Sequence, residues 1–165
     1  MIIVEDRLRE ILASLPVIQI DGVDFPHRFD FGSSEDLNIL IKQEERLYPL
    51  IWLETGFEET HNLSKNEVSV SLSLKIATSS PDNALLNQER LNYTFKEVIF
   101  PTLDNVRKTF ERSNVVQLQD TDWDITKFYN YGSGTKTETT HFWDAVKFDV
   151  DLTINNDCIK PFNYG

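Results

Sequence analysis

The sequence predicts an α+β domain, a mostly antiparallel sheet flanked by an N-terminal helix and a long helix kinked at a proline. Three observations predict it. From Glu67 to Thr78 the chain alternates without a break, Val68, Val70, Leu72, Leu74 and Ile76 against Glu67, Ser69, Ser71, Ser73 and Lys75. That is the period of a strand with one face in a core and one on a polar surface. The same period returns in Val146, Phe148, Val150, Leu152 and Ile154. Between the two strands, from Ala84 to Arg112, residues Leu91, Phe95, Val98, Ile99, Val106 and Phe110 form a helical stripe. Runs of strands with few helices between them favour antiparallel pairing over alternating β–α units.

The remaining elements follow in order. Val4, Leu8, Ile11, Leu12 and Leu15 lie at helical spacing among charged residues, which predicts a first helix over 3–15, ended by Pro16. "VIQIDGVDF" reads as a hairpin turning at Asp21-Gly22. Ser33 and Ser34 before Glu35 and Asp36 mark a helix start, with Leu37, Leu40 and Ile41 as the buried stripe of a helix over 33–46. "PLIWLE", residues 49–54, is apolar enough for a strand covered on both faces, and the polar segment 55–66 reads as a loop. Pro101 lies inside the long helix, so a kink or split is expected near Ile99. Then come a short "VVQL", a strand "WDITKFYNY", an exposed loop "GSGTKTETT", the last strand and a tail over 155–165. The 165 residues suit a single domain spanning 1–165.

Charge narrows the classes. With 27 acidic and 16 basic residues the formal charge is −11. A field of that sign repels polyanions, so wrapped or sequence-read nucleic acid is not the expected ligand, and DNA sliding through a pore stays compatible. The single Cys158 allows no internal disulfide and no cysteine metal site. The start "MIIVEDRLREILASLP" is too charged for a signal peptide, and no apolar run approaches the roughly 20 residues of a membrane span. A non-exported protein without membrane contact is expected.

Several motifs invite chemistry. "FDVDLT" spells Asp149-x-Asp151-x-Thr153 after apolar residues, the nucleophile motif of dehalogenase-type phosphatases. In those enzymes the aspartates end a buried parallel strand, whereas here apolar residues alternate straight through the motif. Core packing then puts both aspartates on the outer surface, so a metal-dependent phosphatase is the weakest alternative. An EF-hand loop fails on the same letters, with Ile154 and Lys160 where glycine and glutamate are needed. "GSGTKT" misses the P-loop order, since Thr135 precedes Lys136. His27, His61 and His141 show no metal spacing, and no nucleophile–base pair stands out. Trp52, Trp123 and Trp143 with eleven phenylalanines are read as core or subunit contacts, the alternative being a small-molecule or carbohydrate binding module using exposed aromatics.

The long amphipathic strands therefore carry the functional expectation: polar faces that meet neighbouring subunits or line an assembly. Residues expected in such subunit or lumen contacts are Glu58, Glu59, Lys136, Glu138, Lys147, Asp149 and Asp151. The ordered pattern of "YPLIWLE", "VSVSLSLKIATS", "VIFPTLDNVRKTF" and "FYNYGSG…HFWDAVKFDVDLTI" covers most of the chain. It resembles the tail terminator (tail completion) and head–tail joining proteins of long-tailed bacteriophages, including Bacteroidetes phage or prophage forms. The resemblance implies a non-enzymatic virion protein, assembled in the host bacterial cytoplasm, that needs no cofactor or metal. It implies a hexameric ring that caps the tail tube, ends its polymerisation and joins the head connector, with DNA passing through the lumen. The helix over 33–46 and the tail beyond Ile154 depart from that pattern.

Overall fold

The computed structural model describes residues 1–43, 49–79, 87–131, 143–161 and 164. Helix α1 spans Val4–Leu12, followed by the β1–β2 hairpin (Ile18–Ile20, Val23–Phe25) and strand β3 (Arg28–Gly32). Helix α2 (Ser34–Gln43) leads to β4 (Leu50–Glu54), β5 (Glu59–Asn62) and β6 (Glu67–Ser79). A helical run of α3 (Asn87–Arg90), a π-helical segment (Leu91–Ile99) and α4 (Phe100–Arg112) precedes β7 (Val116–Leu118), β8 (Ile125–Tyr131) and β9 (Trp143–Asn155). The fold is α+β, with a mostly antiparallel, open seven-stranded sheet.

Two 13-residue strands, β6 and β9, form the spine, paired antiparallel from Glu67↔Asn155 to Ser79↔Trp143. Short strands flank it in tandem: β4 and β5 along the outer edge of β6, β8 and β7 along that of β9. Beyond β4 lies β3, which pairs with it in parallel. Neither β3 nor β5 was expected from the sequence. "RFDFG" is short and follows a proline and a histidine, while "ETHN" lacks alternation. Both segments are drawn into the ladder by the strand beside them, β4 for β3 and the long β6 for β5, where backbone groups find partners.

The register buries Val68, Val70, Leu72, Leu74 and Ile76 with Val146, Phe148, Val150, Leu152 and Ile154 on one face, under α1 and the long helix. Each such side chain contributes about 1.5–3 kcal/mol on burial. On the opposite face a second, smaller core covers only one end: Leu37 and Ile41 of α2 pack on Leu50, Trp52, Ala77, Trp143 and Ala145. The expectation that 49–54 is covered on both faces holds for this reason, and Lys75 and Ala77 are buried as well rather than displayed.

The long helix meets its proline by changing register. The Phe100 N–H donates to the Phe95 carbonyl, an i→i−5 bond, and Pro101 falls in the first turn of α4, where its missing N–H costs little. Threonine hydroxyls take up carbonyls along the way: Thr94 Oγ1 lies 2.6 Å from the Arg90 oxygen, and Thr102 Oγ1 2.7 Å from that of Val98. The split expected near Ile99 is thus a change of winding at Ile99–Phe100.

Helix α2 starts as the sequence suggests. The Asp36 N–H donates to Ser33 Oγ at 3.1 Å and the Ser33 N–H to Asp36 Oδ2 at 2.8 Å, a reciprocal capping box. The Ser33 N–H, joined by the Ser33 hydroxyl donating to the same Oδ2 at 2.9 Å, holds the Asp36 carboxyl below its usual range. Gly32 sits directly beneath, and a Cβ there would lie 2.8 Å from both Asp36 Oδ2 and the Trp52 ring. Gly32→Ala is expected to cost about 1–3 kcal/mol by overpacking. Urea denaturation of the variant checks this, and an unchanged midpoint contradicts it.

Candidate functional site: the polar face of the sheet

Away from α2, the face opposite the main core is open and polar. On β6 it shows Glu67, Ser69, Ser71 and Ser73; on β9 Asp149, Asp151 and Thr153; on the flanking strands Thr60 and Gln117. Alternation places them there, since each inward apolar residue of the spine fixes its two neighbours outward. Hydroxyls and amides tie the strands across this surface: Ser69 Oγ and Thr153 Oγ1 are 3.0 Å apart, and Gln119 Nε2 donates to Thr153 Oγ1 at 3.2 Å. Ser73 Oγ is buried and has no partner among the described residues.

Asp149 and Asp151 stand opposite Ser73 and Ser71 in the middle of an antiparallel strand, both exposed. That is not the end of a parallel strand, and the geometry offers no buried pair of carboxylates. Asp120 and Asp122, from the β7–β8 connection, join them and Trp123 around a small cavity of about 90 Å³. Among the described residues, no group of three or more histidines, cysteines, aspartates or glutamates is placed to hold a metal ion. A wider open groove of about 390 Å³ runs beside it, lined by Glu58, Thr60, Ser69, Ser71 and Gln119.

At the α2 end the surface closes over a charged cluster. Lys75, 5% exposed, places Nζ 3.4 Å from Glu54 Oε1 and 3.3 Å from Ser34 Oγ. Ser34 Oγ in turn donates to Glu54 Oε1 at 2.5 Å. The Ser34 hydrogen bond, with help from Lys75 and the more distant Lys147, holds the Glu54 carboxyl below its ordinary value. The native state therefore binds fewer protons here than the unfolded chain. The resulting stability is fully present above the ordinary value of 4.5 and is lost as pH falls through the lower native value. Glu54→Gln is expected to flatten the acid limb of the stability curve below that pH, measured by denaturant midpoints between neutral and acidic buffers.

The residues singled out from the sequence do not all meet. Glu58, Asp149 and Asp151 share the open face, with Lys147 on the same face toward the cluster. Glu59 lies across from Val70 and so projects from the other side, where its Oε2 is 2.6 Å from His61 Nε2. Lys136 and Glu138, with the loop expected over 132–140, lie outside the described residues. Sequence reasoning missed Asp120, Asp122 and Gln119, which precede β8 in a polar stretch without period; only the tertiary path of the β7–β8 connection lays them beside β9.

The tryptophans are packed rather than displayed. Trp52 and Trp143 are 3% and 1% exposed, and Trp123 stacks on Phe148 with ring centroids 5.1 Å apart. No helix among the described residues is long and apolar enough to cross a membrane. The chain matches no protein-family model and no curated protein.

Proposed function

We propose that the chain is a non-enzymatic virion assembly protein of the tail terminator or head–tail joining kind, with a tail-terminator-like fold. In this role it forms a ring, hexameric when assembled, on the end of a phage tail tube, stops tube growth and offers its other side to the head connector. The observation that carries the proposal is the open face of the β6–β9 spine. It belongs to two strands paired at thirteen positions, and its uncovered part, from Glu67 to Ser73 and Asp149 to Asn155, is rich in hydroxyls and carboxylates rather than basic groups. A lumen lined this way lets DNA slide, because carboxylates repel phosphates and outnumber the basic groups that would hold them. The ordered resemblance of the strands and long helix to tail terminators supports the same role.

Deleting the gene from the phage or prophage that carries it is expected to give tails of uncontrolled length and unattached heads, scored by electron microscopy. Tails of normal length joined to heads would overturn the proposal. Restoring the gene with Asp149→Lys and Asp151→Lys is expected to rescue tail length but to slow DNA ejection, as basic side chains on this face would grip the backbone.

A further inference from the structure

The two ends of β6 are unlike, and they complement each other. At one end β5 turns into β6 through residues 63–66, where Leu63 is 75% exposed. The turn is fixed: Ser64 Oγ donates to Asn62 Oδ1 at 2.8 Å, the Lys65 N–H donates to the same oxygen at 3.3 Å, and Asn66 has φ of 53°. Surface leucines scattered singly are ordinary. This one is held at the tip of a hairpin beside Lys65, which is exposed and has no ion-pair partner among the described residues. At the other end, beside Thr78 and Ser79, the β1–β2 hairpin and the π-helical segment enclose a hollow of about 210 Å³, larger than a leucine side chain. Its walls are apolar, with Ile20, Phe25, Tyr93 and Val98, and its margin carries Asp21 and Glu97, both exposed and without an ion-pair partner among the described residues. The hairpin pairs with no strand of the seven-stranded sheet, and its Val23 is 57% exposed. A two-stranded hairpin is marginal by itself, so it depends on what packs against its apolar side. At roughly 3.3 Å per residue, the thirteen residues of β6 put about 40 Å between the ends, so the tip of a chain cannot reach its own hollow.

We propose that the 63–66 tip of one copy docks in the hollow of the next, with Leu63 among Phe25, Tyr93 and Val98 and Lys65 against Asp21 and Glu97. The occupant is a second copy because the chain itself supplies both halves: an apolar knob beside a cation, and an apolar hollow beside two anions. A chain of net charge −11 repels its own copies, so a contact between them needs opposite charges where they touch. Knob and hollow are different patches of the surface, which makes the contact heterologous, the kind that repeats head to tail and can close into a ring. The inference deepens the assembly role proposed above and rests on it for ring closure, whereas the pairwise contact is a property of the isolated chain.

The test follows amide shifts of the full ¹⁵N-labelled chain from micromolar to millimolar concentration. Saturable shifts are expected at both ends together, in the 63–66 turn and at Asp21, Tyr93 and Glu97. Leu63→Ser, at an exposed position, is expected to weaken association about tenfold or more and to silence the shifts at the distant hollow. Adding unlabelled parent protein to the labelled Leu63→Ser chain is expected to restore them, because the hollow of the variant is intact. Lys65→Glu is expected to weaken association several-fold at low salt, and Glu97→Lys in the same chain to recover part of that loss. No dependence on concentration, shifts at one end only, or hollow shifts that persist in Leu63→Ser would each overturn the inference. Tail length in phage carrying Leu63→Ser keeps the two readings apart. Uncontrolled tails are expected there, as in the deletion; normal tails with Leu63→Ser beside uncontrolled tails in the deletion would overturn the contact and leave the assembly role standing.

Discussion

Arg90→Met is expected to destabilise the protein by about 3–5 kcal/mol, because it leaves a buried carboxylate without its cation. Arg90 and Asp144 are 1% and 0% exposed, with Nη1 3.0 Å from Oδ1. Their desolvation is already complete in the native state, so removing one charge forfeits the attraction and keeps the cost of the other. Thr94 Oγ1, 2.7 Å from Asp144 Oδ2, is a neutral contact and does not replace the lost charge. The double variant Arg90→Met with Asp144→Leu is expected to recover most of the loss, since an apolar pair of similar volume needs no solvation. Equilibrium urea unfolding of the two variants checks both statements. A single variant as stable as the parent would show that the pair contributes nothing.

Phe148→Ala is expected to cost a similar amount, about 3–5 kcal/mol, through lost burial and the cavity left behind. The ring is 1% exposed at the centre of β9 and stacked on Trp123, with interplanar angle 9°. Its sequence neighbour provides the control. Asp149→Asn is expected to change stability by less than about 0.5 kcal/mol, as substitutions at exposed positions without partners usually do. Adjacent residues of one strand thus differ several-fold in effect, and reversing that order would mean the register of β9 is wrong.

The contrast explains how much of the fold was legible. Strict alternation over Val68–Ile76 and Val146–Ile154 leaves one register that buries every apolar side chain, so both strands and their inner faces could be read directly. The start of α2 was equally plain, because Ser33 and Asp36 satisfy each other's backbone within four residues, whereas the long helix's expected start near Ala84 lies outside the described residues. Strands β3 and β5 were not legible, since nothing in "RFDFG" or "ETHN" demands extension apart from the neighbour each pairs with. The π-helical winding of Leu91–Ile99 was hidden too: Pro101 announces a disturbance, but a local sequence cannot say whether the helix bends, breaks or rewinds.

The candidate surface divides in the same way. Asp149 and Asp151 could be placed outward by parity alone, and with that the phosphatase motif in "FDVDLT" lost its context. Glu59 could not be told from Glu58, because assigning a face needs the pairing of β5 with β6.

By itself, then, the sequence determined the α+β class, the two spine strands with their buried faces, the capped start of α2, the amphipathic first and long helices, and an acidic outer surface. Each of these follows from side-chain period or from hydrogen bonds a few residues apart. Only the tertiary structure decided the parallel β3 edge, the burial of Lys75 against Glu54, and the Arg90–Asp144 pair 54 residues apart in sequence. It also decided the cavity under the hairpin and the gathering of Asp120 and Asp122 beside β9. These depend on contacts between segments distant along the chain, and no local pattern encodes which distant segment will arrive.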